Sequence, residues 1–199
     1  MKTTIIPILL ISALFAAQAQ ERLSREDALK YACFVSLDLK EMLKTPIPTD
    51  PDIKRAVALK QDNHGGMILP ETKLSAQTFA ITGAEVKPVG QLWLVNLVPM
   101  RGGQVVPATS QRLVHVHAGE QEVEAACCAL GVSKKADGGL ELLVYGKGKD
   151  PLVRVPLKSI SAQQEEPIEV TSELKDDVAE VTLRFVGKYE ATLSLTQPK

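Results

Sequence analysis

The 199-residue chain has three histidines, and two of them stand one residue apart in His115-Val116-His117. In a β-strand, residues i and i+2 share a face and lie about 7 Å apart by strand rise, so both imidazoles could chelate one divalent metal. Glu122 follows after a four-residue spacer and offers a carboxylate oxygen. A plainer reading puts Val114 and Val116 toward a core and leaves His115 and His117 on the polar side of a half-exposed strand. Catalytic metals normally take three protein ligands, and the remaining histidine, His64, lies in a segment that reads as a turn.

The spacing of His115, His117 and Glu122 is similar to the first metal motif of the cupins, in which His-x-His and a later Glu bind a metal inside a small β-barrel. The similarity spans eight residues and implies a divalent metal held by those three side chains. The chain departs from that motif at Thr109 and Ala129, where glycines are expected, and no histidine follows His117 to serve as a further ligand.

Other chemistry is hard to assemble from the remaining residues. The chain contains no GxSxG, no HExxH, no P-loop and no strand–GxGxxG–helix unit. Gly146-Lys147-Gly148-Lys149 has no following Lys-Ser/Thr pair and reads as a hairpin loop. Glu165-Glu166 and Asp176-Asp177 read as solvated loop carboxylates. Cys33, Cys127 and Cys128 are an odd set, so at least one is free or pairs between chains. In a strand, Cys127 and Cys128 point to opposite faces, and Cys33 could reach one of them. The plainer reading of all three is small buried apolar side chains.

Composition narrows the classes further. With 23 Lys+Arg against 24 Asp+Glu the formal charge is −1, too balanced to hold a phosphate backbone, so nucleic acid is not an expected partner. Aromatic residues make up 4%, few for stacking sugars or bases, while 45% hydrophobic and 24% charged residues fit a globular chain. Lys2, the apolar run from Ile5 to Phe15 and Ala17-Gln18-Ala19 have the form of a cleavable signal peptide over residues 1–19, cut between Ala19 and Gln20. No cysteine sits at that junction for lipidation, and no later stretch has about 20 apolar residues. The expected product is periplasmic or extracellular, with no stable membrane anchor after cleavage.

These groups must be positioned by the elements between them. Ser24 with Asp27 three residues on resembles a capping box, and Ala28, Ala32, Val35, Leu39, Met42 and Leu43 share one helical arc. Phe34 and Leu37 project from the polar side. Either the rest of the domain covers them or they form a partner-binding ridge. Pro46, Pro48 and Pro51 end the helix. Strands and turns follow: a hairpin from Arg55–Lys60 to Met67–Leu69 around a turn at Asp62 to Gly66, then a short helix from Leu74 to Thr82. Gln91 to Met100 is apolar on both faces and reads as one central buried strand. A hairpin joins Leu140–Tyr145 to Leu152–Leu157, with Pro156 placing its strand at an edge or bending it there. From Ile168 to Leu195 the alternation is strict, giving a three-strand meander with one dry face.

The expected fold is therefore α+β and β-rich, an N-terminal amphipathic helix packed on an antiparallel β-sandwich or partial β-barrel ending in that meander. Residues 20–199 form a single domain, and any subdivision would fall near 83–88. Charge steps along it: Lys134 to Lys158 holds six basic and three acidic residues, Glu165 to Glu180 seven acidic and one basic. The leading functional expectation is an exported, non-catalytic protein-binding or envelope-associated structural domain, without a cofactor, whose partner is another envelope or secreted protein. The alternative is a metal-binding protein or metal-dependent enzyme using His115, His117 and Glu122. A third is a carrier of a small apolar ligand near Trp93.

Overall fold

A computed structural model describes residues 20–36, 46–118 and 121–198 of the chain. Most of it is antiparallel β-sheet, arranged in two sheets. The first has the order β1 (Glu21–Arg22), β2 (Val57–Gln61), β3 (His64–Pro70), β4 (Val86–Val95), β8 (Gln121–Lys134), β9 (Leu140–Tyr145) and β10 (Val153–Pro156), with β7 (Leu113–Ala118) also paired to β8. The second runs β12 (Ile168–Lys175), β13 (Val178–Phe185), β14 (Tyr189–Thr196), β5 (Val98–Arg101) and β6 (Gln104–Val105), with β11 (Lys158–Ser159) against β14.

Period-two patterning explains how the sheets meet. Ile68, Leu92, Leu94, Leu130, Leu142 and Val144 point from the first sheet into one buried cluster with Ile168, Leu183, Phe185, Leu193 and Leu195 of the second. Each such side chain removed from water contributes about 1.5–3 kcal/mol, which is why the C-terminal alternation is so regular. The meander is as the pattern requires, with β12, β13 and β14 adjacent in chain order. Pro156 ends β10 at the margin of the first sheet, where its missing N–H breaks no ladder.

The opposite face of the first sheet is also dry. Helix α1 (Arg25–Ser36) begins where Ser24 Oγ accepts the Asp27 N–H at 3.1 Å and donates to Asp27 Oδ2 at 2.7 Å. Ala28, Ala32 and Val35 are buried in one cluster with Ala58, Met67, Leu69, Trp93, Val116 and Cys127. Alanines at two of the three contact positions let the helix lie close to the sheet. Leu37, Leu39, Met42 and Leu43 fall outside the described residues.

Three expectations need correction. The turn between β2 and β3 is only Asp62-Asn63, with Asp62 at φ 51°, and His64, Gly65 and Gly66 are ladder residues paired with Gln61, Lys60 and Leu59. Glycine marks a turn only when the backbone needs one; here Gly65 and Gly66 also pair with Val95 and Leu94 and lie between two strands. The run from Gln91 to Met100 is two strands rather than one. Asn96, at φ 52° with its Nδ2 donating to Asn63 O at 2.8 Å, turns the chain so that β4 stays in the first sheet and β5 joins β14 in the second. Instead of a helix from Leu74 to Thr82 there is a single 3-10 turn, Ala76–Phe79, which carries Phe79 onto the Tyr189 ring at 4.7 Å between centroids.

Candidate functional site

The histidine pair lies on the β7–β8 hairpin, which runs on past the last β4 pairing, Leu94 with Ala126. Opposite residues are His115 with Glu124, Val116 with Val123, and His117 with Glu122. Val116 is buried against the α1 layer, so His115, His117, Glu122 and Glu124 stand together on the other, solvent-facing side. His115 Nδ1 lies 3.2 Å from Glu122 Oε1, and its Nε2 lies 3.9 Å from Glu124 Oε2. The imidazole thus lies beside two carboxylates across the hairpin. Among the described residues no group of three or more His, Cys, Asp or Glu is disposed to hold a metal ion. The cupin-like spacing implies ligands turned into a barrel; these histidines stand on the outside of the sheet, with the valines taking the dry face.

The cysteines divide as strand geometry requires. Cys127 faces the α1 layer and Cys128 the space between the sheets, whereas Cys33 corrects the expectation of a buried side chain and is exposed on α1; all three are free. Burial pushes the Cys128 thiol up to about 12 and raises that of Cys127 too, reinforced by its neighbour Cys128 and opposed by Arg112. Neither buried sulfur is a nucleophile at neutral pH. Trp93, 2% exposed, donates its indole N–H to Gln91 Oε1 at 3.0 Å, and Gln91 Nε2 donates to Thr49 Oγ1 at 2.8 Å. That chain of bonds ties the ring into the layer beneath α1.

Phe34 is half-buried, packed at the margin of the α1 cluster and edge-on to Tyr31 at 6.3 Å. Its proposed companion Leu37 lies outside the described residues, as does Ala19 of the expected cleavage site, while Gln20 immediately precedes β1. Leu29, Tyr31 and Leu113 are the exposed large apolar side chains among the described residues.

A feature that spacing did not reveal lies where β1 approaches the start of β12. An open depression of about 990 Å³ is lined by Arg22, Arg55, Leu74, Glu165, Glu166 and Glu169, among others. Its wall, residues 162–167, is held by Gln164. The Nε2 atom of Gln164 donates to the carbonyls of Glu166 at 2.6 Å and Pro167 at 3.0 Å, and its Oε1 accepts the Gly187 N–H at 2.6 Å. Gly187 is at φ +68°, and a Cβ there would strike the Ala162 carbonyl, so this turn needs glycine. Glu166 corrects the expectation of a solvated carboxylate. It is only 18% exposed, 3.4 Å from Arg55 and 3.9 Å from Arg25. Its partners are more than a hundred positions away in sequence; the one local signal was the acidic run beginning at Glu165.

Comparison of the chain with protein-family models, with characterised proteins and with solved structures finds no match.

Proposed function

We propose that the chain is an exported, non-catalytic protein-binding domain whose partner is another envelope or secreted protein. The observation that carries this reading is the depression at the β1–β12 corner. Small-molecule sites are enclosed and mostly apolar, with a few converging polar groups. This one is open, and its arginines and glutamates share the lining with Leu74, Pro167 and Val186, a mixed charged and apolar surface suited to contact with a polypeptide. The leader pattern at residues 1–19 supports export.

Native mass spectrometry of protein purified from its exported location, without chelators, tests the reading. The expected result is a stoichiometric polypeptide partner, released by raised salt and by Arg55→Glu. A chain that carries only a divalent metal, lost on replacing His115 and His117, would overturn it in favour of metal chemistry. A chain that carries only a small apolar ligand would overturn it in favour of a carrier.

A further inference from the structure

Cleavage after Ala19 leaves glutamine as the first residue, and glutamine is the amide side chain whose carbonyl carbon its own α-nitrogen reaches in a five-membered ring. Gln20 is half-buried just ahead of β1, and no hydrogen bond or ion pair to another described residue holds its side chain. Its backbone is equally uncommitted. β1 pairs with β2 through Glu21↔Lys60 and Arg22↔Leu59, and Leu23 N–H donates to the Ala58 carbonyl at 3.0 Å. Residues 23 and 58 are therefore a hydrogen-bonded pair. Because antiparallel pairs alternate, residues 21 and 60 are another, whereas residues 20 and 22 turn their N–H and C=O groups away from β2. β1 is the first strand of its sheet, so no further strand takes up those groups.

Resting on the export reading above, we infer that Gln20 is a modification site: once the leader is removed, its α-amine closes on its own side chain to give a pyroglutamyl terminus. The free amine attacks Cδ and an N–Cδ bond forms. The Cδ–Nε2 bond breaks, and the amide nitrogen leaves as ammonia with a proton from the amine. Nothing is oxidised or reduced, no co-reactant is consumed, and both reacting groups belong to one residue, so no encounter is needed. The closure breaks no bond of β1, because the two groups it consumes hold no part of the strand, while Glu21 and Leu23 keep it against β2. Charge changes with it. An open terminus carries an ammonium on the β1 face it shares with Arg22, whose side chain lines the depression; the lactam is neutral and leaves that rim to the side chains. The ring also removes the α-amine by which an aminopeptidase would begin on β1, a strand of only two residues at the sheet margin.

The test is intact-mass and N-terminal peptide mass spectrometry, with Edman degradation, on the full chain purified cold and near neutral pH from its exported location. The expected terminus is residue 20, lighter by one ammonia than an open glutamine. It should give no product in the first Edman cycle until a pyroglutamyl peptidase removes the ring, after which Glu21, Arg22 and Leu23 are read in order. A synthetic peptide of residues 20–31, carried through the same steps, measures the cyclisation that handling causes. The Gln20→Ala variant, unable to form the ring, should keep its full mass, sequence directly from Ala and lose that residue to an added aminopeptidase that leaves the wild type intact. A terminus at Gln20 with full mass and glutamine in the first cycle overturns the cyclisation and leaves export standing. A cyclised fraction no greater than in the control peptide, or a wild type trimmed as fast as Gln20→Ala, overturns it too. A chain that begins elsewhere, or that retains residues 1–19, overturns the export reading and this inference with it.

Discussion

Gln91 decides how the sole tryptophan is held. Both ends of its amide are used, one by the Trp93 indole and the other by the Thr49 hydroxyl, in a layer closed to water. Replacing Gln91 by Leu keeps volume but orphans both partners, and should cost about 1–3 kcal/mol. A lower urea midpoint at unchanged m-value, with altered Trp93 emission, would verify this; an unchanged midpoint would show the bonds are dispensable. The buried thiols make a second prediction. An unfolded cysteine ionises near 9.0, whereas folded Cys128 holds its proton to about 12. Between those values the unfolded chain binds fewer protons, so stability is full below about pH 9 and falls as pH rises, by up to ~1.4 kcal/mol per pH unit. Unfolding curves from pH 8 to 11 should show that slope and Cys128→Ala should flatten it, although Cys127 adds in the same direction. In the native state only exposed Cys33 should react quickly with an aromatic disulfide reagent at pH 8.

Among the elements, the start of α1 was readable because a cap is local: Ser24 and Asp27 make their bonds within one turn. Ser24→Ala should lower stability by about 1 kcal/mol, measured by thermal unfolding. The β4 strand was legible as apolar on both faces, yet where it stops was not. Asn96 in the left-handed region ends it, and that conformation draws on Asn63, 33 positions earlier. Nor did Gly90 declare itself. It sits at φ +153° beside a register shift, and a Cβ would run into the Leu69 carbonyl on β3. Gly90→Ala should therefore destabilise by about 2–4 kcal/mol, since backbone rather than a flexible side chain must yield. A variant as stable as wild type by urea denaturation would contradict the close approach of β3 and β4.

For the whole molecule, stability should be distributed as the layers are. β4 and β8 are covered on both faces, by the second sheet and by the α1 layer, whereas β10 and β1 are short strands at the margins. Native-state hydrogen exchange should be slowest at amides such as Leu92, Leu94, Cys128 and Leu130, and much faster in β1 and β10. Faster exchange in β4 than in β10 would mean that the outer layer is not docked in solution. Charge is also a property of this scale. The chain is close to neutral overall, but folding gathers the acidic run along β12 and its flanking turns.

The sequence alone determined what depends on near neighbours and periodicity: a β-rich antiparallel fold, the meander, Pro156 at an edge, Cys127 and Cys128 on opposite faces, and the histidine pair on a shared face. Each follows from side chains alternating along a strand or from a group bonding within a few residues. Tertiary structure alone decided which carboxylates meet which cations, as Glu166 meets Arg25 and Arg55, and that His115 faces Glu122 and Glu124 on the solvent side. Those outcomes depend on register and on which strands become neighbours, and these are set by burying both faces of the first sheet at once, a constraint that no local stretch of the chain contains.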